Sequence, residues 1–131
     1  MNIIFLGPNE IYQRAIIDFL IRDDNSVERY DRELTEKIIT KKNYDFLISF
    51  GYRYIIKNNI LELLKNKSIN LHISYLPWNR GSDPNFWSVV EDTPKGVTIH
   101  QIDKDLDKGR ILFQKKVDYN DSDTLRSSYE K

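Results

Sequence analysis

Ser68-Ile69-Asn70-Leu71-His72-Ile73-Ser74-Tyr75-Leu76-Pro77 reads as a strand running out into a loop. Side chains on a strand alternate between its two faces, so Ile69, Leu71 and Ile73 share one face while Asn70, His72 and Ser74 share the other. The first set is expected to pack and the second to do chemistry. In a chain that alternates helix with strand, such a strand is buried on both sides, where an unpaired amide or imidazole costs about 1 to 3 kcal/mol. The segment therefore calls for a reason to keep polar groups at a strand end.

The flanking sequence supplies the alternation. Ile3 to Leu6 is a buried strand that ends at Gly7-Pro8-Asn9, with Asn9 expected as the cap of a helix and Glu10 near its positive end. Ile11, Ala15 and Phe19, with Tyr12, Ile16 and Leu20, repeat at helical period. Asp23-Asp24-Asn25-Ser26 breaks that helix, Val27 to Tyr30 forms a short strand, and Leu34, Ile38 and Ile39 mark a second helix. Tyr44 to Phe50 is another buried strand, stopped by Gly51, and Ile60, Leu61, Leu63 and Leu64 lie on a short helix before the 68–74 strand. Beyond a loop bearing proline and glycine, Asn85 to Asp92 is expected as a helix, and Gly96 to Ile102 and Arg110 to Val117 as strands. A last helix is expected to begin at Asp123, with so little length left to pack that the chain reads as the front part of a larger fold, truncated at its C-terminus. The pattern predicts an α/β, Rossmann-like, doubly wound and mostly parallel sheet in a single domain, 1–131. In such sheets ligands bind beyond the carboxyl ends of the strands, where Ser74 and its loop lie.

Composition narrows the chemistry. The chain has 131 residues, 40% hydrophobic and 31% charged, with twenty basic and twenty acidic side chains and a net charge of zero. No overall field draws it to nucleic acid or an anionic membrane, and the pairs Lys41-Lys42 and Lys115-Lys116 read as solvated faces. Zero cysteines exclude disulfides, thiol catalysis and thiolate metal sites, and fit a reducing, cytoplasmic compartment. The N-terminal run lacks the features of a signal peptide, and no apolar run has the length of a membrane span. Two histidines without a suitable spacing make a metal site unexpected. No Gly-x-Ser-x-Gly elbow surrounds Ser74 or Ser82, and Gly7-Pro8-Asn9 lacks the repeated glycines of a phosphate-binding turn.

What remains is Asn70 and His72 on one face, with a second segment, Gly96-Val97-Thr98-Ile99-His100-Gln101-Ile102-Asp103-Lys104-Asp105-Leu106-Asp107-Lys108-Gly109. An amide that donates, an imidazole that titrates near neutrality and a carboxylate that orients it suit acyl transfer to an amine without a covalent intermediate. The residues alone equally allow a core histidine bonded to backbone and an asparagine closing a strand. His100 sits on its strand without an assigned partner or role.

Asn70-Leu71-His72-Ile73-Ser74-Tyr75-Leu76-Pro77, then Arg80-Gly81, Gly96-Val97-Thr98-Ile99 and Leu106-Asp107-Lys108-Gly109, in this order and separation, resemble the folate-dependent formyltransferases. That family includes the glycinamide ribonucleotide, methionyl-tRNA and sugar N-formyltransferases. The likeness is strongest from Gly51 to Val117. It implies a catalytic triad at Asn70, His72 and Asp107, with N10-formyltetrahydrofolate as the formyl donor and co-substrate. It also implies folate contacts at Tyr54, Ile55 and Ile56, along Ser74, Leu76 and Pro77, and at Asp103 and Lys104. Trp78 and Arg80 are expected to meet a small polar acceptor. Absence of the phosphate turn disfavours glycinamide ribonucleotide. Neutral charge without a basic C-terminal domain disfavours transfer RNA. The expected acceptor is the amine of an amino sugar or sugar nucleotide, with a homodimer among the expected assemblies. The alternatives are a truncated, catalytically incomplete folate-binding domain and a methionyl-tRNA formyltransferase.

Overall fold

Ile3, Ile4, Phe5 and Leu6 are at most 1% exposed, because their strand runs through the middle of the sheet. The computed structural model describes all residues, 1–131. Its strands are β1 (Asn2–Leu6), β2 (Ser26–Tyr30), β3 (Phe46–Ser49), β4 (Ser68–His72), β5 (Gly96–Gln101) and β6 (Ile111–Lys116). They form one sheet in the order β2-β1-β3-β4-β5-β6. The helices are α1 (Ile11–Arg22), α2 (Glu36–Lys42), α3 (Asn58–Leu63), α4 (Pro84–Val90) and α5 (Leu125–Tyr129).

The first four strands are parallel, joined through helices as parallel pairing requires. β4 to β5 and β5 to β6 are antiparallel. The sheet therefore reverses at β4: the loop leaving β4 starts at its carboxyl end, the loop entering β6 starts beside its amino end, and the two meet where the Gly81 amide donates to Asp107.

Ile4, Leu6 and Leu47 meet Leu34, Ile39, Tyr44, Ile60 and Leu64 on the face that carries α2 and α3. Each such aliphatic side chain withdrawn from water contributes about 1.5 to 3 kcal/mol. Register places Leu47 beside Ser68 and Ser49 beside Asn70, so Asn70 and His72 continue this covered face toward the carboxyl end of the sheet.

Burial along β4 differs from expectation. Ile69, Leu71 and Ile73 are only partly buried, whereas Ser68, His72 and Ser74 are at most 5% exposed. The polar face is the inner one, because α2 and α3 lie on its side while the opposite face is left partly open at β4.

Several boundaries also move. β4 ends at His72, where the chain bends away and Ser74 Oγ turns to donate to the Trp78 carbonyl at 2.8 Å. Glu10, not Asn9, holds the N-cap position of α1, with no side-chain cap. The last helix starts at Leu125 behind Thr124, which forms a reciprocal capping box with Ser127.

Candidate active site

Antiparallel pairing sets Asn70 opposite His100 and His72 opposite Thr98. All four side chains therefore share a face, and β5 buries Thr98 to 0% and His100 to 2% exposure. The ladder from β5 to β6 shifts register between Ile99 and His100. Such an irregularity adds local twist and re-aims a side chain, and it falls at the histidine whose role the sequence left blank.

The carboxylate comes from the loop between β5 and β6. Asp107 adopts a left-handed backbone, φ 51°, which aspartate tolerates better than most residues. Its Oδ2 accepts from the Gly81 amide at 2.8 Å and lies 3.7 Å from His72 Nδ1. Its Oδ1 lies 3.3 Å from His100 Nε2. Asn70 Nδ2 reaches that same nitrogen of His100 at 3.3 Å, while His100 Nδ1 donates to the Gln101 carbonyl at 2.9 Å. His72 Nε2 donates to the Asn79 carbonyl at 2.7 Å. The three residues of the expected triad thus meet in one cluster, and His100 stands as its fourth member.

Gly109 explains why the loop can approach so closely. A Cβ there would stand 1.7 Å from the Gln101 carbonyl oxygen. Only a hydrogen fits between that loop and β5, which accounts for the glycine two residues after Asp107.

Electrostatics favour a neutral imidazole beside a charged carboxylate. Burial pushes the His72 imidazole below the ordinary histidine value, against the upward pull of Asp107. Burial alone would raise the Asp107 carboxyl, but hydrogen bonds from His100 and the Gly81 amide, with the nearby imidazoles, hold it below the ordinary aspartate value. His72 is thereby a free base near neutrality that can take a proton, and Asp107 an anion that can steady the imidazolium formed.

The loop after β4 is braced from β5 and β6. Thr98 Oγ1 donates to the Ser74 carbonyl at 2.8 Å and accepts from the Leu76 amide at 3.2 Å. Gln114 Nε2 donates to the Leu76 carbonyl at 2.7 Å and to Thr98 Oγ1 at 3.1 Å. Ser74 and Leu76 are buried and committed to this bracing, whereas Pro77, Trp78 and Arg80 are exposed. Trp78 lies tilted beside Tyr75, with centroids 6.4 Å apart.

A cavity of about 320 Å³ is lined by residues that include Asn58, Leu61, Ile102, Asp103, Lys104 and Gly109, and Asn70, His72 and Asp107 are not among its lining. That volume lies at the lower end of the usual range for small-molecule sites. Asp103 and Lys104 are thus at a cavity wall. Tyr54 and Ile55 are exposed, and Ile56 packs against the core. The chain has no cluster of His, Cys, Asp and Glu able to hold a metal ion. No helix is long and apolar enough to cross a membrane.

The sequence reading missed His100, Thr98, Asn79 and the Gly81 amide. The alternation that singled out Asn70 and His72 is repeated at Thr98 and His100, so two of the four carried a readable signal.

Comparison with known proteins identifies the family. The methionyl-tRNA formyltransferase of Thermodesulfovibrio yellowstonii is 36% identical over 112 residues, 85% of this chain and 33% of that protein. The GDP-perosamine N-formyltransferase of Brucella melitensis biotype 1 is 34% identical over 88 residues, 66% of this chain and 34% of that protein. The chain therefore spans about a third of the length of these two relatives. The crystal structure of the formyltransferase PseJ from Anoxybacillus kamchatkensis, in complex with UDP-4,6-dideoxy-4-formamido-L-AltNAc and tetrahydrofolate, matches at a TM-score of 0.89 and 51% identity. That match covers 99% of this chain and 67% of that one. The family model described as formyl transferase matches residues 8–131, and on that match the chain belongs to the formyl transferase family.

Proposed function

We propose that this chain transfers a formyl group from N10-formyltetrahydrofolate to an amine of a nucleotide-linked amino sugar. The observation that carries the reading is the convergence of Asn70, His72 and Asp107 around His100, in a chain 51% identical to the Anoxybacillus formyltransferase. The formamido group at C4 of the sugar bound by that relative is what formylation of a 4-amino sugar yields. A UDP-linked 4-amino-4,6-dideoxyhexose is therefore the first acceptor to test.

Each residue has a chemical task in this reading. Asn70 Nδ2 donates to the formyl oxygen as charge gathers there, a contribution that typically costs roughly 3 to 4 kcal/mol of transition-state stabilisation when removed. His72 Nδ1 takes the proton released by the attacking amine and returns it to the departing nitrogen of the donor. Asp107, 3.7 Å from that nitrogen, steadies the charged form of the imidazole. Asp103 and Lys104, at the cavity wall, are available to hydrogen-bond a flat, amide-bearing heterocycle such as a pterin. Trp78 and Arg80, exposed beside His72, are placed to meet the sugar nucleotide.

The 36% identity to a methionyl-tRNA formyltransferase supports a second acceptor class. The higher identity to PseJ and the balanced charge favour the sugar. Incubation with the donor and either UDP-linked 4-amino sugar or initiator methionyl-tRNA, followed by mass spectrometry, separates the two. Gain of one CO unit by the sugar is expected. Formylation of the tRNA alone would replace the sugar reading, and no transfer to either would sink both.

A further inference from the structure

The Asn79 carbonyl accepts a hydrogen bond from His72 Nε2 at 2.7 Å. A carbonyl oxygen can only accept, so this nitrogen carries the hydrogen and the neutral ring keeps its lone pair on Nδ1. Nδ1 is the atom that looks toward Asp107, 3.7 Å away, and the ring of His100 stands edge-on to that of His72 with centroids 6.3 Å apart. In the other tautomer two lone pairs would oppose each other at 2.7 Å, and Nδ1 would already hold a proton when an amine needs to lose one. The choice of tautomer therefore decides whether His72 can act as a base toward the site.

That carbonyl is itself held in place. Asn79 has a left-handed backbone, φ 55°, a conformation asparagine tolerates. Its Nδ2 donates to Glu91 Oε2 at 2.9 Å, and its Oδ1 accepts from Thr93 Oγ1 at 2.6 Å. Glu91 is the C-cap residue of α4, and the Thr93 amide bonds back to the Ser88 carbonyl at 3.1 Å. The turn after α4 thus grips both ends of one side-chain amide, and the main-chain carbonyl of the same residue grips His72.

We propose that Asn79 is a positioning residue that locks His72 in the Nε2–H tautomer, with Glu91 and Thr93 as its anchors. The consequence for rate rests on the formyl-transfer reading, while the tautomer itself does not. Thr93 touches neither imidazole, so its removal acts only through Asn79.

The test uses the chain labelled with ¹⁵N-histidine, whose two histidines give two sets of ring signals, together with steady-state kinetics. In the native chain His72 is expected as the Nε2–H tautomer near neutral pH. Thr93→Val is expected to give a mixture of tautomers and a kcat lower by roughly 10- to 100-fold, within what a positioned base supplies, with KM for donor and acceptor little changed. Thr93→Ser, which keeps the hydroxyl and the fold, is expected to restore both readouts. A native His72 protonated on Nδ1 overturns the proposal, as does a Thr93→Val chain with native tautomer and kcat. A chain that transfers no formyl group yet shows the tautomer shift in Thr93→Val, reversed in Thr93→Ser, upholds the lock and overturns the functional reading instead.

Discussion

Replacing Gly109 by alanine adds one carbon where the Asp107 loop crosses β5. That carbon would stand 1.7 Å from the Gln101 carbonyl oxygen and 2.7 Å from its carbon. Carbon and carbonyl oxygen rest at about 3.3 Å or more, so loop and strand must part by roughly 1.6 Å. Gly109 does not have a positive φ, so the effect expected is collision with main chain and not the strain of a left-handed backbone. A shift of that size takes Asp107 out of hydrogen-bond range of the Gly81 amide, now at 2.8 Å, and away from His100. Misplacing a catalytic group by about 1 Å costs on the order of 100-fold in rate, and overpacking costs about 1 to 3 kcal/mol of stability. The control is Leu47→Ala, in the buried core and away from the site, which should lose more stability, about 2 to 5 kcal/mol. Assayed below both melting temperatures by formyl transfer and urea unfolding, Gly109→Ala should be the slow variant and Leu47→Ala the unstable one. A Gly109→Ala chain within threefold of native kcat/KM, a margin far below the roughly 100-fold expected, would refute the account of how the loop is seated.

Asn70→Ala should reduce kcat about 100- to 1000-fold while leaving the urea midpoint near native, because a single oxyanion donor is lost from a partly buried position. The lowered His72 value puts the acid limb of the kcat/KM profile below pH 6.5, and Asp107→Asn should move that limb lower still, since the carboxylate is what pulls the imidazole upward. Stability should follow the same sign. The unfolded chain binds more protons as pH falls below 6.5 through the depressed His72 value, so stability declines in that window; it declines again below pH 3.8 as Asp107 titrates. Thr98→Val strands the Ser74 carbonyl and the Leu76 amide and should lower stability by about 2 to 4 kcal/mol in urea unfolding, while Thr98→Ser should stay close to native.

The parallel half of the fold was legible because β1 and β3 are short apolar runs and helices of amphipathic period separate the strands, although β2, Ser26-Val27-Glu28-Arg29-Tyr30, is no apolar run. The antiparallel half was legible only as strands. Direction and pairing at β5 and β6 are set by how the loops 73–95 and 102–110 return, and neither loop has a pattern that states it. The reversed burial of β4 has a related cause. Apolarity says that Ile69 and Leu71 prefer cover, but cover goes where α2 and α3 land, and Ser68, Ser74 and Thr98 enter the interior as small groups. Asn9 failed as a cap for a local reason: the turn at Gly7 and Pro8 delays the helix until Ile11 and leaves Glu10 in extended conformation at its head.

The candidate site divides along the same line. Asn70 and His72 were visible because alternation on one strand places both on one face, and Asp107 entered through resemblance, since nothing local distinguishes it from Asp103 or Asp105. His100 repeats the alternation with Thr98 on the next strand, but only the register of Asn70 against His100 turns a second polar face into a fourth member of the cluster. Asn79 had no signal at all. Its side chain bonds residues twelve and fourteen positions away, its backbone is left-handed, and the atom that meets His72 is a main-chain oxygen present at every residue. Sequence therefore exposes the groups that supply chemistry by type, while the groups that fix their protonation and aim are peptide atoms, at Asn79, Gly81 and Gln101, whose identity carries no information and whose position is the fold's contribution.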